Sequence, residues 1–428
     1  MWLAISLFPR SALAQSGDVW ILEIDGPVTP TMASYFERGI ESAELNGANA
    51  VLIILDTPGG NVTPTQEIIQ IFRAAKLPII VFITPSGAQA ASAGSIITMA
   101  AHFAAMSPQT VIGAASPVGE GGADLDETIY RKLTEDFTAQ IRSLVGRRGE
   151  EATRLAEAMI NEARAVNARE ALAIGLIDAV ATDVDDLLGQ LDGQTASIEG
   201  QTYTLETASA AQHIFFMNFI EQVLHALSNP LLVSLLLVIG VQAILIEMGS
   251  PGGWVAGFIG ILCLGLAFYG LGQLPANWFG LGLIGVAFVL FILEVKALTH
   301  GALALAGTIT MLAGLLVLFN SPGTPAFARI SIPSAVTISG STAIFFIFIV
   351  TMALRAQQKR PITGMESLIG HRAVVRTADP VDTPPYTGTA LANGELWRVS
   401  ADVPLAKGDE AVISEVNGFV LRVTKSDS

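Results

Sequence analysis

Two short segments of this 428-residue chain have residue types and spacing suited to acyl transfer. The segment Thr57–Asn61 (TPGGN) follows an apolar run and contains two adjacent glycines, whose backbone N–H groups can turn toward an anion. Further along, Ser92 stands among the small residues of Gln89–Ser95, at the expected start of a helix. The free N–H groups of a helix start can stabilise an oxyanion. Together these segments predict a serine nucleophile beside a backbone oxyanion hole.

Ser92 has rivals in the same part of the chain, namely Ser86, Ser95, Ser107 and Ser116. Ser86 lies in a Thr-Pro-Ser-Gly turn and Ser116 precedes a proline, so both are suited to shaping loops. Ser92 differs because its neighbours are alanines and a glycine, which leave room for a substrate backbone. A helix-capping serine would have the same pattern. The residues alone therefore leave Ser92 open between nucleophile and cap.

Histidine is scarce near these segments, which disfavours a Ser-His-Asp triad. Between Asp18 and Thr207 the only histidine is His102, ten residues after Ser92. A predicted helix separates the two residues, so we do not expect them to touch. We interpret His102 as a structural residue.

Lysine is the other candidate general base, and the same stretch contains Lys76 and Lys132. Lys76 ends a predicted helix, where a cation complements the helix dipole. Lys132 lies at the margin of an apolar face predicted over residues 127–145. Burial there would lower its pKa and let it take a proton from serine. From spacing alone, a surface lysine paired with Asp136 is the favoured alternative.

The elements that position these residues belong to an α/β domain. Apolar strand-like runs alternate with helical patterns, which predicts a largely parallel sheet within residues 16–182. Strands are expected over 19–24, 50–55 and 78–83, each followed by a helix. The more polar residues 183–228 are expected to form a linker and an interfacial helix.

The chain also has a predicted export signal. Residues 1–15 are typical of a signal peptide, with Ala12-Leu13-Ala14 as the small-x-small cleavage site. Export would place the α/β domain outside the cytoplasm.

The second half of the chain is predicted to be embedded in the membrane, over residues 229–356. Five apolar runs there are long enough to span a bilayer. Formal charges between residues 231 and 354 are few: Glu247, Glu294, Lys296 and Arg329. Basic residues directly after the last run predict that this end lies inside.

The last segment of the chain predicts a further domain, and the composition argues against some partners and sites. Residues 363–428 show short alternating runs and turn signals, which predict a small β-barrel or sandwich that serves as an interaction module. The net charge of −15 argues against a nucleic-acid partner. The single cysteine, Cys263, excludes disulfides and cysteine-based metal sites.

Three motifs in order resemble the NfeD family of membrane-bound, Clp-protease-like serine peptidases. They are Leu55–Gly60 (LDTPGG), Ala90–Ser95 (AASAGS) and Gly113–Val118 (GAASPV). The likeness extends nearly end to end and includes Gly394–Trp397 (GELW), typical of a C-terminal OB-fold. It implies a Clp-protease/crotonase-like α/β domain, a transmembrane helical bundle and a small all-β domain.

The resemblance also implies a site with a Ser-Lys dyad. Ser92 matches the nucleophile and Lys132 the general base, while the N–H groups of Gly59 and Ala93 would form the oxyanion hole. Gly60 would help to bind substrate. Such peptidases need no cofactor or metal. The implied partners are stomatin- or prohibitin-like membrane proteins, in a homo-oligomer (dimer or larger) at a bacterial-type inner membrane.

Two other classes of function stay open. A crotonase-type acyl-CoA enzyme would use a similar oxyanion hole, but the chain has no evident basic patch for the CoA phosphates. A non-catalytic scaffold would use the bundle and the β-barrel to organise stomatin-like partners.

Overall fold

The computed structural model describes residues 17–117, 126–249, 253–297, 299–322, 324–358 and 365–426. The predicted signal peptide lies outside these ranges. The chain forms two compact units, Met1–Ile347 and Phe348–Ser428.

The first domain alternates strands and helices, as predicted. Its strands are β1 (Val19–Asp25), β2 (Ala50–Asp56), β3 (Ile79–Ile83), β4 (Gln89–Ala91), β5 (Phe103–Met106), β6 (Val111–Gly113), β7 (Ala165–Asn167), β8 (Ala179–Val180), β9 (Thr195–Ile198), β10 (Gln201–Thr204) and β11 (Gln212–Phe215). Its helices are α1 (Pro30–Leu45), α2 (Val62–Ala74), α3 (Ala93–Ala100), α4 (Glu127–Val145), α5 (Glu150–Asn161), α6 (Ala168–Ala173), α7 (Val184–Leu191) and α8 (Phe219–Ala226).

A parallel sheet in the order β11-β1-β2-β3-β5-β8 forms the centre of this domain. The apolar runs of β2 and β3 are almost wholly buried, as expected of strands covered by helices on both faces. A smaller sheet in the order β4-β6-β7 stands beside it. The loop after β2 and the turn between β4 and α3 meet between the two sheets, through a bridge between Thr57 and Ala90.

The segment 183–228, predicted to form a linker followed by an interfacial helix, is not a linker over most of its length before that helix. It contains α7, the hairpin of β9 and β10, and β11, which pairs in parallel with β1 at the edge of the main sheet. Leu187, Leu188 and Leu191 are buried and fix α7 to the domain. The polar residues lie on the exposed faces of short elements, which hides the apolar positions from a simple reading of composition.

The interfacial helix predicted before the membrane corresponds to α8. Glu221 of α8 is buried and pairs with Arg38 of α1, and Arg38 also lies over the ring of Phe215. The Tyr35 hydroxyl donates to the Phe215 carbonyl at 2.6 Å. These contacts attach α8 to the α/β domain.

Within the described residues, five helices are long and apolar enough to cross a membrane, as predicted. They are α9 (Pro230–Gly249), α10 (Val255–Gln273), α11 (Trp278–Ala297), α12 (Ala302–Phe319) and α13 (Ile332–Gln358).

The α9–α10 and α11–α12 hairpins share one plan, which explains two of the few charges in this region. Glu247 accepts a hydrogen bond from Trp254 N–H at 3.0 Å, and Glu294 accepts one from Gly301 N–H at 2.9 Å. Trp254 and Gly301 each lie seven residues after their glutamate, each with positive φ at the start of the next helix. Both glutamates therefore cap a helix start, where a carboxylate is favoured.

The second unit contains a closed barrel in the order β12-β13-β14-β16-β15, as the turn pattern predicted. Alternate side chains fill its interior, including Val375, Val399 and Leu421. Its strands are β12 (Arg372–Ala378), β13 (Tyr386–Ala392), β14 (Glu395–Ala401), β15 (Glu410–Asn417) and β16 (Val420–Lys425).

Candidate active site

The loop after β2 is held on both sides by backbone hydrogen bonds. Thr57 N–H donates to Gln89 O at 2.8 Å, and Ala91 N–H donates to Thr57 O at 3.0 Å, which ties the loop to β4. On the other side, Val28 N–H donates to Gly59 O at 2.8 Å. The loop is therefore a fixed part of the fold.

Both glycines of the loop are required by close approaches. A Cβ on Gly59 would lie 2.7 Å from the Ser92 Cβ, and Gly59 has φ of +108°. A Cβ on Gly60 would lie 2.3 Å from Val28 O and 2.4 Å from Val28 N. Only hydrogen at position 59 lets the loop reach the Ser92 turn, and only hydrogen at position 60 lets it pair with Val28.

Ser92 occupies a strained turn between β4 and α3. Its backbone has φ of 52° and ψ of −117°, a region that costs a non-glycine residue on the order of 1–3 kcal/mol. Hydrogen bonds maintain this conformation: Ser92 N–H donates to Gly113 O at 2.8 Å, and Ser95 Oγ donates to Ser92 O at 2.7 Å. The Ser92 Oγ does not cap the N–H groups of α3. The capping alternative therefore finds no support in the structure.

The four rival serines are engaged in the local structure. Ser86 Oγ donates to Pro108 O at 3.0 Å, Ser107 Oγ to Thr84 Oγ1 at 2.9 Å, and Ser116 Oγ to Ile160 O at 2.6 Å. Ser95 is fully buried beneath the Ser92 turn. These bonds support the two loop-shaping interpretations and leave Ser92, which is half-buried, as the one hydroxyl of the group without a hydrogen bond to a described residue.

The two loop glycines differ in the direction of their N–H groups. Gly59 N–H donates to Thr57 Oγ1 at 3.2 Å. Gly59 O and Asn61 N–H both bond to Val28, so the intervening Gly60 presents its N–H on the opposite side of this extended segment. To the residues described by the structure, the Gly60 N–H makes no hydrogen bond. Among the described residues, the Gly60 N–H is therefore unpaired, whereas the Gly59 N–H is not.

A small cavity of about 80 Å³ adjoins Ser92 and is lined by Gly60 and Ala93. Its remaining wall is largely apolar and includes Val62, Ile96, Ala115, Leu133 and Phe137. Leu133 and Phe137 lie on the apolar helix face predicted over residues 127–145, which the sequence does not assign to the site. Nor does the sequence single out Gly113 as the acceptor that holds Ser92, although Gly113 lies in one of the quoted motifs.

Lys132 lies on α4 directly before Leu133, but its side chain is exposed. It does not line the cavity, and the structure shows no hydrogen bond between Lys132 and Ser92. Residues 118–125, which precede α4, are outside the described ranges. The structure therefore brings Ser92, Gly60 and Ala93 together and leaves Lys132 one residue away from the cavity wall.

His102 has the structural role predicted for it. Its Nδ1 accepts a hydrogen bond from Ile79 N–H at 3.1 Å at the start of β3. Burial, and secondly the nearby Arg147 guanidinium, lower the pKa of His102 from 6.5 to about 4. The imidazole is neutral in the folded protein and remote from the cavity lining.

This lowered pKa predicts a loss of stability in mild acid. The unfolded chain binds a proton at His102 near pH 6.5 and the folded chain near pH 4, so the free energy of unfolding should fall as pH drops through that window. The expected contribution is about 2–3 kcal/mol. His102→Gln can still accept from Ile79 but does not titrate. Thermal unfolding of both proteins between pH 7.5 and 4 should show a smaller loss for the variant; equal losses would contradict the prediction.

Among the residues that the structure describes, no group of three or more histidine, cysteine or carboxylate side chains is placed to hold a metal ion.

Comparison with known proteins assigns the chain to a family. Family models match the NfeD1b N-terminal domain at residues 18–201, the NfeD integral membrane domain at 231–352 and the NfeD-like C-terminal, partner-binding domain at 365–425. Membrane-bound protease PH1510 of Pyrococcus horikoshii is 31% identical over 436 residues, covering 99% of this chain and 97% of that protein. The chain belongs to the NfeD family. Membrane protein NfeD1b of Bacillus subtilis is 26% identical over 341 residues, which cover 77% of this NfeD protein and 73% of the relative.

Solved structures match the first domain of this NfeD protein. One is the 1510-N membrane-bound stomatin-specific protease with a lysine-to-alanine mutation and a substrate peptide (31% identity, 49% of this chain and 97% of that one, TM-score 0.46). Another is the same protease with a serine-to-alanine mutation (31% identity, 47% and 99%, TM-score 0.44). ClpP1 from Listeria monocytogenes is also similar (18% identity, 39% and 94%, TM-score 0.33). The first domain itself has the α/β architecture with a largely parallel sheet that its sequence predicts.

Proposed function

We propose that this NfeD protein is a membrane-anchored serine endopeptidase with Ser92 as its nucleophile. The observation that carries the proposal is the strained Ser92 turn, whose hydroxyl caps no helix and adjoins a cavity with Gly60 and Ala93 on its wall. Strain of this kind clusters at functional sites. The similar PH1510 is a protease by name.

We propose Lys132 as the general base. It is the lysine nearest to the cavity wall in sequence, and a similar protease was solved with a lysine replaced by alanine and a substrate peptide bound. Because Lys132 is exposed, the dyad requires its ammonium group to turn inward over Leu133 and lose its proton there. Substrate in the cavity would exclude water and favour that neutral form.

The chemical steps follow from these roles. Neutral Lys132 accepts the Ser92 hydroxyl proton as Oγ forms a bond to the peptide carbonyl carbon. The carbonyl oxygen becomes an oxyanion, which the N–H groups of Gly60 and Ala93 stabilise. Lys132 then gives its proton to the leaving amine as the C–N bond breaks. It next takes a proton from a water molecule that attacks the acyl carbonyl carbon, and returns this proton to Ser92 Oγ as the Oγ–C bond breaks and the acid product leaves.

This proposal revises the predicted oxyanion hole. Ala93 keeps its role, as the first residue of α3 with a free N–H. Gly60 replaces Gly59 as the second donor, because the Gly59 N–H is directed to Thr57 Oγ1. Gly59 then serves to let the loop pass against Ser92.

The cavity wall supports an apolar substrate. Val62, Ile96, Leu133 and Phe137 offer no partner for a charged side chain, whose burial without one is costly. Stomatin-like proteins are the proposed substrates, since similar proteases are named as stomatin-specific. We propose that cleavage occurs outside the cytoplasm: the five candidate spans and the basic residues after the last of them support an outer α/β domain and an inner C-terminal barrel. A homo-oligomer remains a prediction.

A scaffold role is the second candidate, because the C-terminal domain matches a partner-binding family. A crotonase-type activity is less well supported. Acid/base carboxylates are expected near such a site, whereas the described lining of the Ser92 cavity contains none.

The test is cleavage of matched peptides by the purified full chain in detergent. A peptide with an apolar stretch from a stomatin-like C-terminal segment should be cleaved at least about tenfold faster than the same peptide with aspartate inside that stretch. Mass spectrometry of the products would locate the cut. Equal cleavage of both would contradict the apolar cavity as the specificity site, and cleavage of neither would favour the scaffold.

A further inference from the structure

A larger cavity, of about 520 Å³, lies between the α/β domain and the membrane bundle. Three segments form it: the end of β1 with Asp25, the connection from α8 to α9 with His225, and the approach to α13 with Arg329. The candidate spans in α9 and α13 both begin at this cavity, at Pro230 and Ile332. It therefore lies at the level where the bundle enters the membrane.

The cavity presents a positively charged side chain, Arg329, where two candidate spans begin. Arg329 is held by a hydrogen bond from its Nε to Thr324 O at 2.9 Å. No ion pair or hydrogen bond to any described residue engages the terminal nitrogens of its guanidinium. The starts of α9 and α13 add two positive helix-dipole ends. These groups together suit an anion, and the planar guanidinium suits a phosphate in particular.

A second, oppositely charged region lies in the same cavity. The Asp25 carboxylate is almost fully exposed, at 3.9 Å from His225 Nε2. The other ring nitrogen, His225 Nδ1, is buried and lacks a hydrogen-bond partner among the described residues. The cavity thus combines an anion-binding side at Arg329 with a carboxylate and an unsatisfied polar atom.

We propose that this cavity binds the headgroup of an amine-bearing phospholipid. The phosphate lies against Arg329 and the starts of α9 and α13, and the ammonium group lies against Asp25. Leu231 and Phe327 on the cavity lining offer apolar surface to the first part of the acyl chains.

The surroundings of the cavity favour a lipid over a soluble anion. On the adjoining α8, Phe219 and Ile220 are 79% and 67% exposed, as expected of side chains that enter the lipid interface. The connection from α8 to the first span is only Leu227–Asn229, so α8 must lie close to the membrane surface. A lipid bound here would join the α/β domain to the bundle and fix the height of Ser92 above the membrane. The inference does not depend on the proposed chemistry.

The test measures lipid retained by the purified full chain. Protein is exchanged into nanodiscs of phosphatidylcholine with trace labelled phosphatidylethanolamine or phosphatidylglycerol, then extracted in mild detergent, and bound lipid is counted by native mass spectrometry. Arg329→Gln should retain at least about tenfold less of both lipids, since a charged hydrogen-bond partner is lost. Arg329→Lys keeps the charge and should retain more than Arg329→Gln. Lys296→Gln removes a cation at the end of α11, away from the cavity, and should retain as much as wild type.

The Asp25→Asn variant tests the site for the ammonium group separately from the site for the phosphate. It should abolish the preference for phosphatidylethanolamine over phosphatidylglycerol while leaving total retention within about twofold of wild type. Equal loss in Arg329→Gln and Lys296→Gln would overturn the site. Wild type without preference for the amine lipid would overturn the role of Asp25. Displacement of lipid by millimolar inorganic phosphate would show a site for soluble anions and overturn the lipid assignment.

Discussion

Replacing Ser92 by alanine is expected to lower kcat for peptide cleavage by a factor of roughly 10⁴ or more. The hydroxyl is the only atom lost, and the turn that holds it rests on backbone bonds to Gly113 and from Ser95, which alanine preserves. Stability should therefore be nearly unchanged. Ser92→Gly should abolish activity as well, but should raise the free energy of unfolding by about 1 kcal/mol, because glycine tolerates the φ of 52°. Peptide kinetics and thermal unfolding of the full chain measure the two effects.

Two further variants make this prediction specific. Lys132→Ala should lose about as much activity as Ser92→Ala, and the double variant no more than either, since the two groups act in one proton transfer. Ser86→Ala, which removes a hydroxyl bound to Pro108, serves as the matched control and should retain activity. A fluorophosphonate probe should label wild type at Ser92 alone. Cleavage that survives Ser92→Ala would move the assignment to another serine, with Ser95 tested first.

Much of the architecture is predictable from local pattern. The strands β1, β2 and β3 are predominantly apolar runs, and the five spans are apolar over a length that can cross a bilayer. Composition and length therefore predict each of them. The edge strand β11 is not predicted in this way. It is a short segment, Gln212–Phe215, whose two polar residues are adjacent and therefore fall on opposite faces, and its role depends on pairing with β1 almost 200 residues earlier. Sequence pattern carries no information about such a partner.

For the site, the sequence predicts which residues come together but not the directions in which their N–H groups and side chains point. The motifs predict that Ser92, Ala93 and the glycine loop lie close together, because the loop follows β2 and Ser92 follows β4. The bridge to Val28 decides which glycine N–H stays unpaired among the described residues, since N–H direction alternates along an extended backbone. The position of Lys132 depends on how α4 packs, and Leu133 rather than Lys132 reaches the cavity. Neither fact is encoded in spacing.

Gly60→Ala is expected to reduce kcat by roughly 10²–10³-fold, the loss typical when one oxyanion donor is removed. The added methyl group would lie 2.3–2.4 Å from backbone atoms of Val28, which no side-chain rotation can relieve. The loop must move away from Val28, and the Gly60 N–H moves with it. Because the hydroxyl of Ser92 stays in place, slow labelling by a fluorophosphonate probe should persist. The factor by which kcat for peptide cleavage falls should be much larger than any change in KM, since the lost hydrogen bond forms mainly in the transition state.

Backbone strain must be separated from the loss of the donor. Gly47→Ala is the matched control for backbone strain. Gly47 also has positive φ, of +68°, but an added Cβ meets no atom within 4 Å. It should lose about 1 kcal/mol of stability and retain its activity. Gly59→Ala should be as inactive as Gly60→Ala, because its methyl group collides with Ser92 itself. If Gly60→Ala instead kept normal kcat while Gly59→Ala lost it, the donor would be Gly59, and the bond from Gly59 to Thr57 Oγ1 would have to open when substrate binds.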